Sequence, residues 1–381
     1  MIDGLSYTDN AFLELLRMAL EPVVMATSEN APQPSPLLVE VGDDGQHRFP
    51  KLTSEQWNEV YAMARKQGVS GIVYDAVKLL PADNKPPKEV DDEWRLLTRW
   101  IENENKHLNT VCAKIKQIFD REGIGACVLK GQGCAVMYHQ PLHRQPGDVD
   151  VWMEGTPEEV CDYVHKHMQN ISEAGYQHIS AELPSGVHLE MHYRPGMFND
   201  PFKNRRLQRW FKAEASRQWT NVALLPAGAG EIRVPTADFN EVFLLVHFLH
   251  HYVFEGAGLK QVMDLYHQRL KAEKPFKDGA GVVPKGMLQA LSWLYLQLGM
   301  PEDKLPARPD SILGYTLLHD ILTTGIVSGE SYISGEMSQY SVWQKAVRRF
   351  KRSWRLHRLT SSEFLWTLVK QTPLLSWSNK A

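Results

Sequence analysis

Apolar residues recur with a helical period through the first 120 positions. Phe12, Leu13, Leu15, Leu16 and Leu20 form one stripe ahead of Pro22, predicting a helix over 1–22. A Pro- and Ser-bearing stretch over 31–36 predicts a loop. Over 54–68 the logic repeats: Ser54 is the predicted N-cap, Glu55 lies in the first turn, Trp57, Val60, Tyr61 and Ala64 share a face, and Gly68 stops the helix. Residues 94–122 read as one long amphipathic helix.

From Gly123 the pattern changes. The apolar run Ala126-Cys127-Val128-Leu129, ending at Lys130-Gly131, predicts a buried strand feeding a helix over 134–139. Residues 148–153 alternate as a second strand. Thr156-Pro157-Glu158-Glu159 has proline at the first helical position and a capping-box glutamate, predicting a helix that runs through Val160, Tyr163, Val164, Met168 and Ile171 to Gly175. Two short strands follow, over 176–181 and 187–193, joined by the turn composition Leu183-Pro184-Ser185-Gly186. After Pro235 the chain is helical again, with Asp238 and Glu241 as a cap pair, 242–252 apolar nearly all round, and further helices over 259–271, 286–298 and 311–322. The expected fold class is α+β: a central small mixed sheet flanked by N-terminal and C-terminal helical regions. Its expected divisions are 1–120, 121–235, 236–340 and a basic amphipathic tail over 341–381.

The second strand carries chemistry. Alternation sends Asp148, Asp150 and Trp152 to one face and Val149, Val151 and Met153 to the other. Two carboxylates held side by side repel unless a divalent cation sits between them. Magnesium is the expected ion, with manganese as the alternative, because it takes oxygen ligands from one or two carboxylates plus substrate phosphates. On the later strand His188, Glu190 and His192 share a face, so Glu190 is the expected third carboxylate if the two strands are neighbours; Glu182, on the preceding strand, competes for that role. The Lys130-Gly131-Gln132-Gly133 turn offers backbone N–H groups and a lysine charge to phosphates, and Arg144 offers a fork for bidentate contact.

Composition narrows the partners. A formal charge of −3 over 381 residues gives no global attraction to nucleic acid or to an anionic membrane, so nucleic acid is not the expected acceptor. Cys112, Cys127, Cys134 and Cys161 form no C-x-x-C pair and read as buried, reduced thiols. The N-terminus lacks the features of a signal peptide, and no run reaches the ~18 apolar residues of a membrane span, so the expectation is a cytoplasmic protein without a transmembrane segment.

Val128-Leu129-Lys130-Gly131, then Tyr138, Pro141, Arg144 and Gly147-Asp148-Val149-Asp150-Val151, resembles the uncharacterised nucleotidyltransferase family, a branch of the polymerase-β-like superfamily. The flanking Trp57, Ala64, Gly68-Val69 and the His247 and Asp264 helices are similar to that family's accessory helices, so the resemblance covers about residues 5–270. It implies a magnesium-dependent enzyme that moves a nucleoside monophosphate from a nucleoside triphosphate to an acceptor, which could be a small molecule, a sugar or a protein. It also implies Asp148, Asp150 and Glu190 as metal-binding catalytic carboxylates, with Lys130, Gly131, Gln132, Arg144 and Lys260 around the nucleotide. Where the wider superfamily usually has Gly-Ser or Gly-Gly, this turn has Gly131-Gln132.

Other readings stand beside these. A chain of this fold could bind nucleotide or assemble with partners without turnover. His188, Glu190 and His192 on one strand face could instead ligate a transition metal. His247, His250 and His251 have i, i+3, i+4 spacing and read as core or cleft-wall residues, and Lys260 with Asp264 reads either as a surface ion pair or as a lysine reaching the triphosphate. In the tail, Lys345, Arg348, Arg349, Lys351, Arg352, Arg355 and Arg358 accompany Phe350, Trp354 and Leu356, while Trp343, Phe364, Leu365, Trp366 and Leu368 suggest docking on the remainder of the chain.

Overall fold

The apolar stripe of the first segment folds as α1 (Tyr7–Thr27), which runs through Pro22. The ring removes one intrahelical hydrogen bond, at a cost of about 3 kcal/mol; full burial of Phe12, Leu13, Leu15, Leu16 and Leu20 outweighs it. The computed structural model describes residues 1–27, 37–38, 40–41, 47–254, 256–325, 354, 356–363, 365–366 and 369. The loop expected over 31–36 lies outside them. The strand pair β1 (Glu40–Val41) and β2 (His47–Arg48) is followed by α2 (Ser54–Lys66), α3 (Ser70–Leu79) and α4 (Lys88–Glu122). Thr53, not Ser54, caps α2: its hydroxyl accepts from Gln56 N while the Gln56 side chain accepts from Thr53 N. The reciprocal capping box outcompetes a serine one residue later.

The remaining elements are β3 (Ala126–Val128), α5 (Gln132–Ala135), β4 (Val149–Met153), α6 (Pro157–His167), β5 (His178–Glu182), β6 (His188–His192), α7 (Pro201–Gln218), the hairpin β7 (Val222–Leu224) and β8 (Glu231–Arg233), then α8 (Ala237–Phe254), α9 (Leu259–Lys271), α10 (Lys285–Gln297) and α11 (Ser311–Thr324). The α+β class expected from the sequence is the one observed. Helix α6 has the expected Thr156 cap and proline start but stops at His167. Beyond it Gln169 bridges Glu182 and Ser172 N donates to Ser180 O, so the segment expected as helix instead lines the free edge of β5. Helix α7, which the sequence reading missed, starts at Asp200, whose carboxylate accepts from Phe202 N and Lys203 N. Asp238 and Glu241 are not a cap pair, because Glu241 binds Arg269 at 2.6 Å.

The four-stranded sheet has the order β3-β4-β6-β5, with β4 and β6 parallel and the outer pairs antiparallel. Val149, Val151, Met153, Leu189 and Met191 bury one face against α4 and α6, as alternation predicted. On the other face Cys127 and Trp152 join the larger core; Trp152 stacks on Phe239 of α8 at 5.5 Å. That larger core also takes in α1 to α3 and α9 to α11. Gln67, fully buried just past α2, ties these helices together: its amide donates to Ile321 O, its side-chain oxygen accepts from Leu259 N, and its backbone carbonyl accepts from Lys260 N. Lys260 is thereby fixed at the start of α9.

In the tail, Leu356 and Leu359 are buried in the core, and Glu363 accepts from Asn199 N and Asp200 N at the start of α7. This part of the chain thus docks, but not through the residues expected to do it, since Leu365 is exposed and Trp366 only half-buried; Trp343, Lys345, Arg348, Arg349, Phe350, Lys351, Arg352, Arg355, Phe364 and Leu368 lie outside the described residues. Among the described residues no helix is long and apolar enough to cross a membrane.

Candidate active site

Where Trp152 ends on the open face of the sheet, the core gives way to a polar cleft of about 470 Å³ walled by the sheet, the 144–148 loop, α8 and α9. The parallel register sets Asp150 opposite Glu190 and Trp152 opposite His192. Asp148, the first residue of the expected strand, stands just ahead of the observed β4 and is exposed at the cleft mouth. The three carboxylates therefore share one cavity. Glu182 pairs with His188 at the far end of β5, and its carboxylate accepts from Asn170. It does not line the cleft, and Glu190 does.

Asp150 is buried with cations on it. Lys130 Nζ lies 2.7 Å and His192 Nε2 3.1 Å from its Oδ1. Burial alone would raise this carboxyl, but Lys130 and His192 overcome it and hold the group well below the ordinary range. Burial opposes the Lys130 ammonium too, and Asp150 and Glu190 more than restore it. Asp148 is in the opposite position: crowding by the protein, then Glu190 and Asp150, push its carboxyl up.

Gly131 brings Lys130 into place. Its φ of +54° is a conformation that L side chains avoid, and an added Cβ would stand 3.2 Å from Asp148 O, so the turn can lie against the 144–148 loop only with glycine there. Gln132 does not face the cleft: its side-chain nitrogen donates to Asn109 Oδ1 (2.6 Å) and Asn105 O (3.3 Å) on α4. The first turn of α5 points the side chain of position 132 into the protein, so the part expected of Gln132 around a nucleotide falls to its backbone N–H, the group the turn was expected to offer. Arg144 lines the cleft, but its fork is taken. Nε and Nη2 each donate to Asp264 at 2.8 Å, and Tyr138 donates to the same carboxylate at 2.7 Å. The bidentate contact expected with a phosphate is made with Asp264 instead, locking the 144–148 loop to α9.

Lys260 and Asp264 are consequently no surface pair. Lys260 Nζ donates to Pro146 O at 3.2 Å and faces the cleft; burial and then the nearby Arg144 lower it to about 8. His247, His250 and His251 on α8 also line the cleft, as the cleft-wall reading expected, and burial followed by Lys130 keeps His247 well below its ordinary value. Sequence reasoning missed the supports of the loop: Asn105 on α4 donates to Leu142 O and Arg144 O, and His143 is held between Asp75 (2.8 Å) and Glu102 (2.9 Å). It also missed His178. The His-Glu-His group expected from one strand is assembled from two, with His178 of β5 beside Glu190 and His192, while His188 is exposed and outside the cluster. The thiols are free; Cys161 is only half-buried, whereas Cys112, Cys127 and Cys134 are buried as expected.

A family model described as an uncharacterised nucleotidyltransferase matches residues 53–280, a span that contains every element of the cleft. Among solved structures, an antigenic nucleotidyltransferase-like protein from Paracoccidioides brasiliensis is similar over 60% of this chain and 96% of its own, at 16% identity and a TM-score of 0.31. No curated protein matches the chain.

Proposed function

The chain belongs to the uncharacterised nucleotidyltransferase family, and on that premise we propose that it transfers a nucleoside monophosphate from a nucleoside triphosphate to a hydroxyl-bearing acceptor, using magnesium or, alternatively, manganese. The observation that carries the reading is the β4/β6 register, which sets Asp150 beside Glu190 in the same cavity as Asp148, Lys130 and Lys260. The cavity volume, about 470 Å³, is in the usual range for a small-molecule site.

The donor set fits a hard cation. It offers carboxylate oxygens, and burial followed by the neighbouring Glu190 and Asp150 pushes Asp148 up, a crowding of like charge that a cation would relieve. Asp148, Asp150 and Glu190 would hold the ion. Bound there, magnesium supplies charge neutralisation to the phosphates and makes the acceptor hydroxyl more acidic. Lys130 and Lys260 would grip the triphosphate, Lys130 exchanging its contact with Asp150 for phosphate oxygens. Arg144, committed to Asp264, keeps the Asp148 loop in position. Glu190 is half-buried and is the carboxylate best situated to take the acceptor's proton. The acceptor oxygen forms the new bond to the α-phosphorus, the bond from that phosphorus to the β-phosphate oxygen breaks, and pyrophosphate leaves with the electron pair.

The acceptor classes that suit the reading are a small molecule, a sugar or a protein, since a net charge of −3 offers nothing to draw nucleic acid. The four free thiols fit a reducing, cytoplasmic setting. The test is incubation of the full chain with nucleoside triphosphates labelled at the α-phosphate, magnesium and a cell extract. The expected result is label on an acceptor with release of pyrophosphate, abolished by Asp148→Asn. Triphosphate binding with no label on any fraction would overturn transfer and leave a nucleotide-binding protein without turnover.

A further inference from the structure

The β5/β6 side of the cleft holds a second group of ligand atoms. His192 Nδ1 lies 3.3 Å from Arg194 O; a carbonyl only accepts, so this nitrogen carries the hydrogen and Nε2 is the ring's other, lone-pair position. That Nε2 faces two carboxylates, Asp150 Oδ1 at 3.1 Å and Glu190 Oε2 at 3.3 Å. Lys130 Nζ, 2.7 Å away, answers Asp150 Oδ1, but the contact of Nε2 with the carboxylates still calls for a cation between them, either a proton on Nε2 or a metal ion.

His178 decides between the two. A proton bridging His192 to its carboxylates has no use for a second imidazole, yet the register of the hairpin pairs His178 with His192 and brings the rings to 4.8 Å. His178 Nε2 stands 3.7 Å from Glu190 Oε1, too far to be a hydrogen bond. Its Nδ1 is buried without a hydrogen-bond partner among the described residues. A ring held close to a carboxylate without bonding to it is the spacing of two ligands of one metal. Ligand atoms ~2.0–2.1 Å from a tetrahedral zinc stand roughly 3.3–3.4 Å apart, beside the 3.3 and 3.7 Å separations here. One ligand atom from each of His178, Glu190 and His192 lies within 4.8 Å of the others.

We propose that His178, Glu190 and His192 form a binding site for a divalent transition-metal ion of the zinc class, distinct in its nitrogen ligands from the all-oxygen Asp148/Asp150 position and sharing Glu190 with it. Two imidazoles and one carboxylate suit zinc-like ions and select against magnesium, which prefers oxygen. The Arg194 carbonyl acts on His192 as an outer partner that fixes the tautomer of a metal-binding histidine. Any part this ion plays in turnover rests on the transfer reading above; the metal site itself does not.

The test uses Co2+ as a visible probe on the metal-stripped full chain, with no nucleotide present. The expected result is one Co2+ bound per chain with d–d absorption, displaced by Zn2+ but not by a large excess of Mg2+. His178→Gln and His178→Ala, at a partly exposed position and each checked for an unchanged melting temperature in metal-free buffer, should weaken Co2+ binding by about 100-fold or more, since even outer-partner losses cost ~10–100-fold. His188→Gln, two residues from Glu190 but outside the cluster, should leave it unchanged. Absent Co2+ binding, displacement by Mg2+, or binding that His178→Gln leaves intact while Asp148→Asn removes it, would each overturn the site. Loss of transfer with Co2+ binding preserved counts against the transfer reading alone, so the two ideas fail separately.

Discussion

The joint between the Asp148 loop and α9 is the most exposed point of the whole reading, because one carboxylate makes three of its bonds. Asp264 is 5% exposed and Arg144 3%. Removing the acid in Asp264→Ala deletes two charge-assisted bonds of 2.8 Å from Arg144 and one of 2.7 Å from Tyr138, and leaves a guanidinium buried without its partner. Breaking a buried pair from one side costs about 3–5 kcal/mol, most of it from the stranded charge. The double variant Arg144→Met/Asp264→Ala leaves the Tyr138 hydroxyl without its acceptor but strands no charge, and should be more stable than either Arg144→Met or Asp264→Ala. Chemical denaturation of the wild type, the single variants and the double variant measures this as a coupling at or above the ~3 kcal/mol upper end for contacting pairs. Burial opposes the Asp264 carboxylate, but Arg144 and Tyr138 hold it below its ordinary value of 3.8. A depressed acid contributes its full stability above the unfolded value, and that contribution is lost as pH falls through the folded one. The difference between wild type and Asp264→Ala should accordingly be full at neutral pH and shrink only below about 3.8. A cost under about 1 kcal/mol, additive behaviour in the double variant, or a difference that vanishes already at pH 6 would refute the joint.

Three further outcomes are expected. Lys260, lowered to about 8 by burial and then Arg144, loses its cation as pH rises through that value; triphosphate affinity should fall between about pH 7 and 9 in wild type and stay level in Lys260→Arg, and a flat wild-type profile by calorimetry would count against a phosphate contact. Asp148→Asn should not lower the melting temperature in metal-free buffer, since crowding and then Glu190 and Asp150 disfavour the charge it removes, yet it should abolish the gain in triphosphate affinity on adding magnesium; a clear loss of stability would show that Asp148 is structural. Glu190→Gln should keep triphosphate affinity within a few-fold while slowing transfer by about 10²-fold or more, with Glu182→Gln changing neither; a swap of the two behaviours in steady-state assays would reassign the third carboxylate.

Most of the cleft was legible because two periodicities carried it. Alternation along 148–153 and 187–193 separated Asp150, Trp152, Glu190 and His192 from Val149, Val151, Leu189 and Met191, and the sheet uses that division. Adjacency of the two strands could not be read from one sequence, since it depends on the crossover through α6 and β5. His178 was within reach: the turn at Gly186, where Gly186 N donates to Leu183 O and Leu183 N to Val187 O, sets Glu182 opposite His188 and carries the pairing back to His178 and His192. The protein partners of Gln132 and Arg144 escaped for a different reason. Both are polar groups in a phosphate-turn neighbourhood, but burial made them find protein partners, Asn109 and Asp264, that lie 23 and 120 positions away in the chain. Helix α7 escaped because its charged run Lys203-Asn204-Arg205-Arg206 obscures a narrow apolar stripe of Leu207 and Phe211.

The charges around the cleft are not evenly spread, and their asymmetry gives the proposed reaction a direction. Lys260 and Arg144 lie at the loop side, where Lys260 Nζ reaches Pro146 O next to Asp148, and Lys130 stands between them and the histidines, on Asp150 beside His192. His178, His192, His247, His250 and His251 gather at the other, near Glu190 and α8. Burial followed by Lys130 holds His247 well below its ordinary value, and His178 is lowered by burial as well, so these two imidazoles favour the uncharged form. A triphosphate with its several negative charges is favoured at the lysine end, where each ammonium is worth more in a half-buried cleft than in water. An uncharged hydroxyl loses little by leaving water for the imidazole end, where ring nitrogens can donate to it or accept from it. On the proposed reading the α-phosphorus then lies between Asp148 and Glu190, with pyrophosphate departing toward Lys130 and Lys260. Glu190, alone among the three carboxylates in standing on the strand nearest the histidines, meets the acceptor.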